Sequence, residues 1–259
     1  MTLKAVLWDV DGTLAETERD GHRVAFNQAF EACGLAWSWS VERYGELLSV
    51  TGGRERLLHD MNTRTDAPTL THEREALARE LHQRKNTLYA EFVAAHGIAL
   101  RPGVLELMEQ CRTRGVRMAI TTTTSKRNVE ALLHPHLGTG WASWFAALVC
   151  GEDVARKKPD PEVYVQALRR LALGPLETVA LEDSPGGVAA ARAADVPVVV
   201  TRSVYFAGSS FEGAVAIGPG LDQRVGWRPG LTGVTSSPLV GLDDLIAWRT
   251  RMEHTSQFG

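Results

Sequence analysis

The amino-acid sequence predicts an α/β fold, a Rossmann-like parallel sheet with helices on both faces, interrupted after its first strand by an all-helical insertion. Three observations predict it. From residue 100 onward, short apolar runs alternate with amphipathic helical segments, the pattern of βαβ units. An apolar run, "AVLWDV", opens the chain and belongs to the same sheet by composition. Between the two, residues 17 to 96 carry helical periodicity alone. The predicted division is a core of residues 1–16 and 97–259 with a helical cap domain of 17–96, and 259 residues suffice for both.

Taken in order, the opening strand covers Lys4 to Trp8. In the insertion, Phe26, Phe30 and Cys33 repeat at helical spacing before Gly34. Val41, Tyr44 and Leu48 do so after "WSWS", and Leu77, Leu81, Leu88 and Phe92 line a longer helix. "RPGVLELMEQCRTRG" has proline where a helix starts and glycine where it stops, with Leu105, Met108 and Cys111 on one face. "VRMAITTTT", "ALVCG", "TVALED" and "VPVVVT" read as strands, with "NVEALL", "DPEVYVQALRRLAL" and "GGVAAARAA" as the helices between them. Further on, "GAVAIG" reads as one more strand, residues 218–241 as a glycine- and proline-rich loop, and "LDDLIAWRTRM" as a closing helix.

Composition narrows the class. A formal net charge of -3 supplies no basic field for nucleic acid or an anionic membrane. Cys33, Cys111 and Cys150 are odd in number and scattered, which fits neither a disulfide framework nor a zinc site. They imply buried packing in a reducing cytoplasm. The opening apolar run is broken too early for a signal peptide, and no stretch approaches a transmembrane span.

Four predicted strand ends deliver polar groups, and in a parallel sheet such ends converge on one edge, where ligands of open α/β sheets bind. The first brings Asp9 and Asp11, two apart and so on one face. The second brings Thr122, Thr123 and Thr124, hydroxyl and amide donors for an anion. The third leads into "RKKPDP", with Lys157 and Lys158, and the fourth ends in Glu182, Asp183 and Ser184. Singly, each has an ordinary reading: a turn, β propensity, a surface loop, a helix N-terminal acid pair. Jointly, four carboxylates would repel one another without a divalent, oxygen-preferring cation such as Mg²⁺. A metal, a lysine and threonine donors around an aspartate make a phosphoryl-transfer site.

"DVDGT", the strand-terminal Thr122, Lys158 of "KKPDP" and "LEDS" resemble the four motifs of the haloacid dehalogenase (HAD) superfamily of phosphohydrolases. The resemblance spans nearly the whole chain, and the helical insertion is similar to that family's cap domain. More narrowly, "DVDGTLAETE", "TGGRER", "TTTTSKRNVEALL" and "LEDSPGG" resemble the CbbY-type phosphatases of carbon fixation, whose favoured substrate is xylulose-1,5-bisphosphate. The resemblance implies that Asp9 is the nucleophile, forming an aspartyl-phosphate, and that Asp11 is the general acid and then the base. It implies that Thr122 and the amide after it bind phosphoryl oxygens and that Lys158 neutralises charge. Asp183, with Asp9 and the Asp11 carbonyl, would hold Mg²⁺, supported by Glu182. Glu18 and His22 fall where the family makes its cap contacts; the histidine stands one residue further from "AETE" than the family spacing, so its role is left open.

The insertion adds candidates for selectivity. In "TGGRER", Gly52 and Gly53 precede a helix whose first turn carries Arg54, Glu55 and Arg56, a pattern suited to an anion. His82 and Lys85, three apart, share a helix face. The resemblance assigns both groups, with Thr123 and Thr124 of the core, to a bisphosphorylated sugar. A sugar phosphomutase of the β-phosphoglucomutase type would use the same Asp9 and Asp11, and a receiver domain would also cluster acids, a threonine and a lysine on a parallel sheet. Receivers are far shorter. The expected protein is a monomeric cytoplasmic enzyme.

Overall fold

The structure, a computed structural model, describes residues 2–231 and 237–255. Six parallel strands form one sheet in the order β3-β2-β1-β4-β5-β6: β1 (Ala5–Trp8), β2 (Arg117–Thr121), β3 (Ala147–Val149), β4 (Thr178–Glu182), β5 (Val198–Thr201) and β6 (Ala216–Gly218). Every residue of β1, β4 and β5 is buried, as expected of strands covered on both faces. One apolar cluster gathers Trp8, Leu107, Ile120, Leu132 and Trp248 on one face, and a second gathers Leu7, Val149, Tyr164 and Val188 on the other. The connecting helices are α5 (Val104–Thr113), α6 (Lys126–Leu137), α7 (Glu162–Leu171) and α8 (Pro185–Ala193), and α9 (Leu242–Thr255) closes the chain.

Between β1 and β2 the named elements are all helices: a short π-helical turn (Glu18–His22) runs into α1 (Arg23–Ala32), followed by α2 (Val41–Leu47), α3 (Gly53–Met61) and α4 (Thr71–His96), with α5 leading into β2. These helices have their own apolar centre of Phe26, Phe30, Trp39, Tyr44, Leu57 and Leu81. Two expected faces are rotated. In α2, Tyr44 and Leu47 are buried while Val41 is 37% exposed; in α5 the buried set is Val104, Leu107, Met108 and Cys111, with Leu105 only half-buried. Part of the predicted 218–241 loop, residues 232–236, lies outside the described residues. Among those described, no helix is long and apolar enough to cross a membrane. Cys111 and Cys150 are buried and Cys33 is half-buried, all as free thiols.

Strand order positions the site. β1 is flanked by β2 on one side and β4 on the other, so the connections leave it in opposite directions and open a crevice at its carboxyl end. The helical insertion sits over that crevice.

Candidate active site

Register decides which residues meet at the edge. Trp8 pairs with Ile120 and with Leu181, so one residue further on Asp9, Thr121 and Glu182 come level. Lys158, from the loop after β3, joins all three. Its Nζ donates to Asp9 Oδ1 at 2.7 Å, to the Thr121 carbonyl at 2.8 Å and to Glu182 Oε1 at 2.7 Å. Tyr164 on α7 donates to the same glutamate oxygen. Burial alone would discharge Lys158, but the Asp9 and Glu182 carboxylates outweigh it and keep the ammonium charged.

The acids crowd one another. Burial above all, opposed by Lys158 and reinforced by Glu182 and Asp11, pushes Asp9 up to about 7. Burial, then Asp9 and Glu182, raises Asp183 well above the usual carboxylate range, although Ser203 Oγ donates to its Oδ2 at 2.5 Å. Gly12 has φ +84, and a Cβ there would overlap the Asp183 carboxylate, so the turn after Asp11 requires glycine. One oxygen from each of Asp9, Glu182 and Asp183 lies within 4.8 Å of the others. Glu182 Oε2 is buried without a hydrogen-bond partner. An all-oxygen donor set whose charges oppose one another fits a hard divalent cation.

The Asp11 carboxylate stands outside that group. Its Oδ1 accepts from Thr17 Oγ1 at 2.6 Å and lies 2.8 Å from His22 Nε2, and His22 packs on Tyr89 with ring centroids 4.1 Å apart. Burial opposes ionisation of Asp11, but His22, Thr17 and Lys85 outweigh it and hold the carboxyl well below its usual range. His22, left open by its spacing, therefore reaches the site: the extra residue is absorbed in the π-helical turn that contains it.

Above the edge lies a cavity of about 530 Å³, with a narrower cleft of about 60 Å³ below it. Asp9, Thr122, Lys158 and Asp183 line the cleft; Asp11, Glu18, Gly52, Arg56 and Thr123 line both. All ten residues expected at the substrate stand on the wall of the larger cavity: Glu18, Gly52, Gly53, Arg54, Glu55, Arg56, His82, Lys85, Thr123 and Thr124. Their states differ from a uniform basic pocket. Arg56 is buried and committed, its Nη1 donating to the Tyr44 hydroxyl at 2.7 Å and lying 3.7 Å from Glu18, to which Tyr44 also donates. Arg54 is half-exposed, 3.6 Å from Glu55. Burial, then Lys85 and Lys157, lowers His82 to about 4, so it enters neutral. Burial lowers Lys85 to about 8 against the pull of Asp11 and Glu18, and its Nζ sits over the rings of Phe26 and Tyr89.

Several contributors escaped sequence reasoning. Thr17 hides in the acidic tail of the first motif, Ser203 lies twenty residues beyond the aspartate it supports, and Tyr164 and Tyr44 register only as apolar helix positions. None carries a spacing signal, because each acts through a hydroxyl delivered by tertiary packing.

The haloacid dehalogenase-like hydrolase family model matches residues 3–195. Protein CbbY of Rhodobacter capsulatus is 44% identical over 214 residues, covering 83% of this chain and 92% of the relative. Plasmid-encoded CbbY of Cupriavidus necator is 42% identical over 219 residues, covering 85% and 86%. Among solved structures, CbbY of Rhodobacter sphaeroides, crystallised with phosphate and, as a point mutant, with xylulose-1,5-bisphosphate, matches with a TM-score of 0.77 and 40% identity over 82% of this chain and 92% of that one.

Proposed function

The chain belongs to the haloacid dehalogenase-like hydrolases, alongside the CbbY proteins, and from that premise we propose a Mg²⁺-dependent phosphatase converting xylulose-1,5-bisphosphate to xylulose 5-phosphate. In this reading residues 1–16 and 97–259 form the core domain and 17–96 the cap, and the enzyme is a cytoplasmic monomer. The observation that carries it is the pair of adjoining cavities: a tight cleft around Asp9 and Lys158, which shares Asp11, Glu18, Gly52, Arg56 and Thr123 with a larger one walled by both the helical insertion and the sheet edge. One phosphate fits the cleft, and the rest of a bisphosphorylated sugar needs the space above.

Lys158 grips Asp9 Oδ1, leaving Oδ2 to attack phosphorus. The Asp9 oxygen–phosphorus bond forms as the ester bond breaks, with Lys158 and Thr122 facing the phosphoryl oxygens. Asp11, positioned by Thr17 and His22, protonates the leaving alcohol oxygen. Asp11, ionised again, then takes a proton from water, whose oxygen attacks phosphorus and frees Asp9 and inorganic phosphate. Asp9, Asp183 and the Asp11 carbonyl, supported by Glu182, would hold Mg²⁺, which would supply the positive charge that lets these acids and a phosphate share one site. Glu18, held by Tyr44 and Arg56, presents a carboxylate to sugar hydroxyls.

The test is phosphate release with Mg²⁺ across mono- and bisphosphorylated sugars, with the Asp9→Asn variant as control. Expected is release dependent on Asp9 and fastest with the bisphosphate. An isomerised sugar phosphate without free phosphate would instead mark a mutase, and equal turnover of mono- and bisphosphates would overturn the substrate assignment.

A further inference from the structure

Two adjacent lysines leave the loop after β3 and face different partners. Lys158 turns down to Asp9, whereas Lys157 Nζ reaches up to Glu55 Oε2 on α3, 3.0 Å away. Lys157 has no part in the phosphoryl-transfer chemistry, yet it lines the larger cavity with Gly52, Gly53 and His82. The backbone opposite is shaped to admit it. Gly52 has φ +97, and a Cβ there would sit 2.9 Å from Lys157 Nζ and overlap Glu55 Oε2. Its side chain is only about one-fifth exposed; of its neighbours on the wall, Arg56 is bound to Tyr44 and Glu18 and His82 is neutral, while Arg54 stands half-exposed on the cap side of the same cavity.

Resting on the bisphosphate reading above, we propose that Lys157 is a specificity-determining residue, the core's own ligand for the substrate's second, non-reacting phosphate. Glu55 holds the ammonium in place while the cavity is free of substrate, and the phosphate displaces that carboxylate as the stronger anion. The two lysines then read the two ends of one molecule from a single rigid loop, which couples the spacing of the phosphates to the position of the reacting one.

The experiment compares kcat/KM for xylulose-1,5-bisphosphate with that for a monophosphorylated pentose, in the wild-type protein and in Lys157→Met, Lys157→Arg and the charge-swapped Lys157→Glu/Glu55→Lys pair. The bisphosphate-to-monophosphate ratio is expected to fall at least tenfold in Lys157→Met, through KM rather than kcat, and to recover to within threefold in Lys157→Arg. Unchanged melting of Lys157→Met confirms that the loop is intact. A ratio that survives Lys157→Met overturns the assignment alone. So does a ratio restored by the charge swap, which would make the pair a clasp between cap and core and not a phosphate ligand. A wild-type ratio near one overturns the bisphosphate reading itself, and this assignment with it.

Discussion

His22 Nε2 lies 2.8 Å from Asp11 Oδ1, joining the strand-end motif to the first turn of the helical insertion. The contact sets the protonation state of Asp11, because the histidine and Thr17 together hold that carboxyl down against its burial. His22→Gln is expected to lower kcat by at least about tenfold, within the usual range for a general acid–base partner, with KM changed less. Without His22 the Asp11 carboxyl titrates at higher pH, so the acidic limb of the kcat profile, where Asp11 must be ionised to activate water, moves upward. A profile superimposable on the wild type would contradict the assignment.

Asp183 gives a prediction about metal and pH. Its carboxyl is raised in the folded protein by burial and by Asp9 and Glu182, so the ionised form weakens the metal-free fold. That penalty is absent below the ordinary carboxylate pKa of about 4 and grows as pH rises through the folded value. In chelator at pH 8, Asp183→Asn is therefore expected to melt at least about 2 °C above the wild type, with the gap closing as pH falls toward 4. Added Mg²⁺ should raise the melting temperature of the wild type and leave the variant unmoved. Thermal shift with and without chelator reads both effects.

Gly52 holds a backbone conformation that L side chains rarely adopt and makes room for Glu55 and Lys157. Gly52→Ala is expected to cost about 1 kcal/mol in backbone strain. It should also cut kcat/KM for the bisphosphate at least tenfold, because the new methyl displaces both side chains. Steady-state kinetics with a melting curve separate the two effects.

Arg101 anchors the edge from behind. Its guanidinium donates to the carbonyls of Gly12, Thr201, Arg202 and Pro219, the middle pair at 3.2 and 2.7 Å, and lies 3.7 Å from Glu16. Arg101→Ala leaves several part-buried carbonyls unpaired and should destabilise by about 2–4 kcal/mol, a fall of roughly 5–10 °C in Tm. Arg101→Lys should recover only part of this, since an ammonium lacks the planar fork that spans the carbonyls. Denaturant unfolding measures both.

The sheet, its helices and the four acidic, basic and hydroxylic strand ends were legible in the chain because β and α periods repeat locally and "DVDGT", "KKPDP" and "LEDS" are contiguous. Residue order alone also predicted helices, and no strand, between residues 17 and 96, where the structure has α1 to α4. Only the tertiary structure decided which cationic groups are free to meet a ligand. Arg54 and Arg56 look alike in "TGGRER", yet one is half-exposed and the other is buried against Tyr44 and Glu18. Lys157 and Lys158 are neighbours with opposite destinations. Charge state, too, belongs to the fold: His82 is neutral and Asp9 is raised because of what surrounds them. The physical reason is that periodicity is a property of neighbours in the chain, whereas desolvation and pairing depend on neighbours in space.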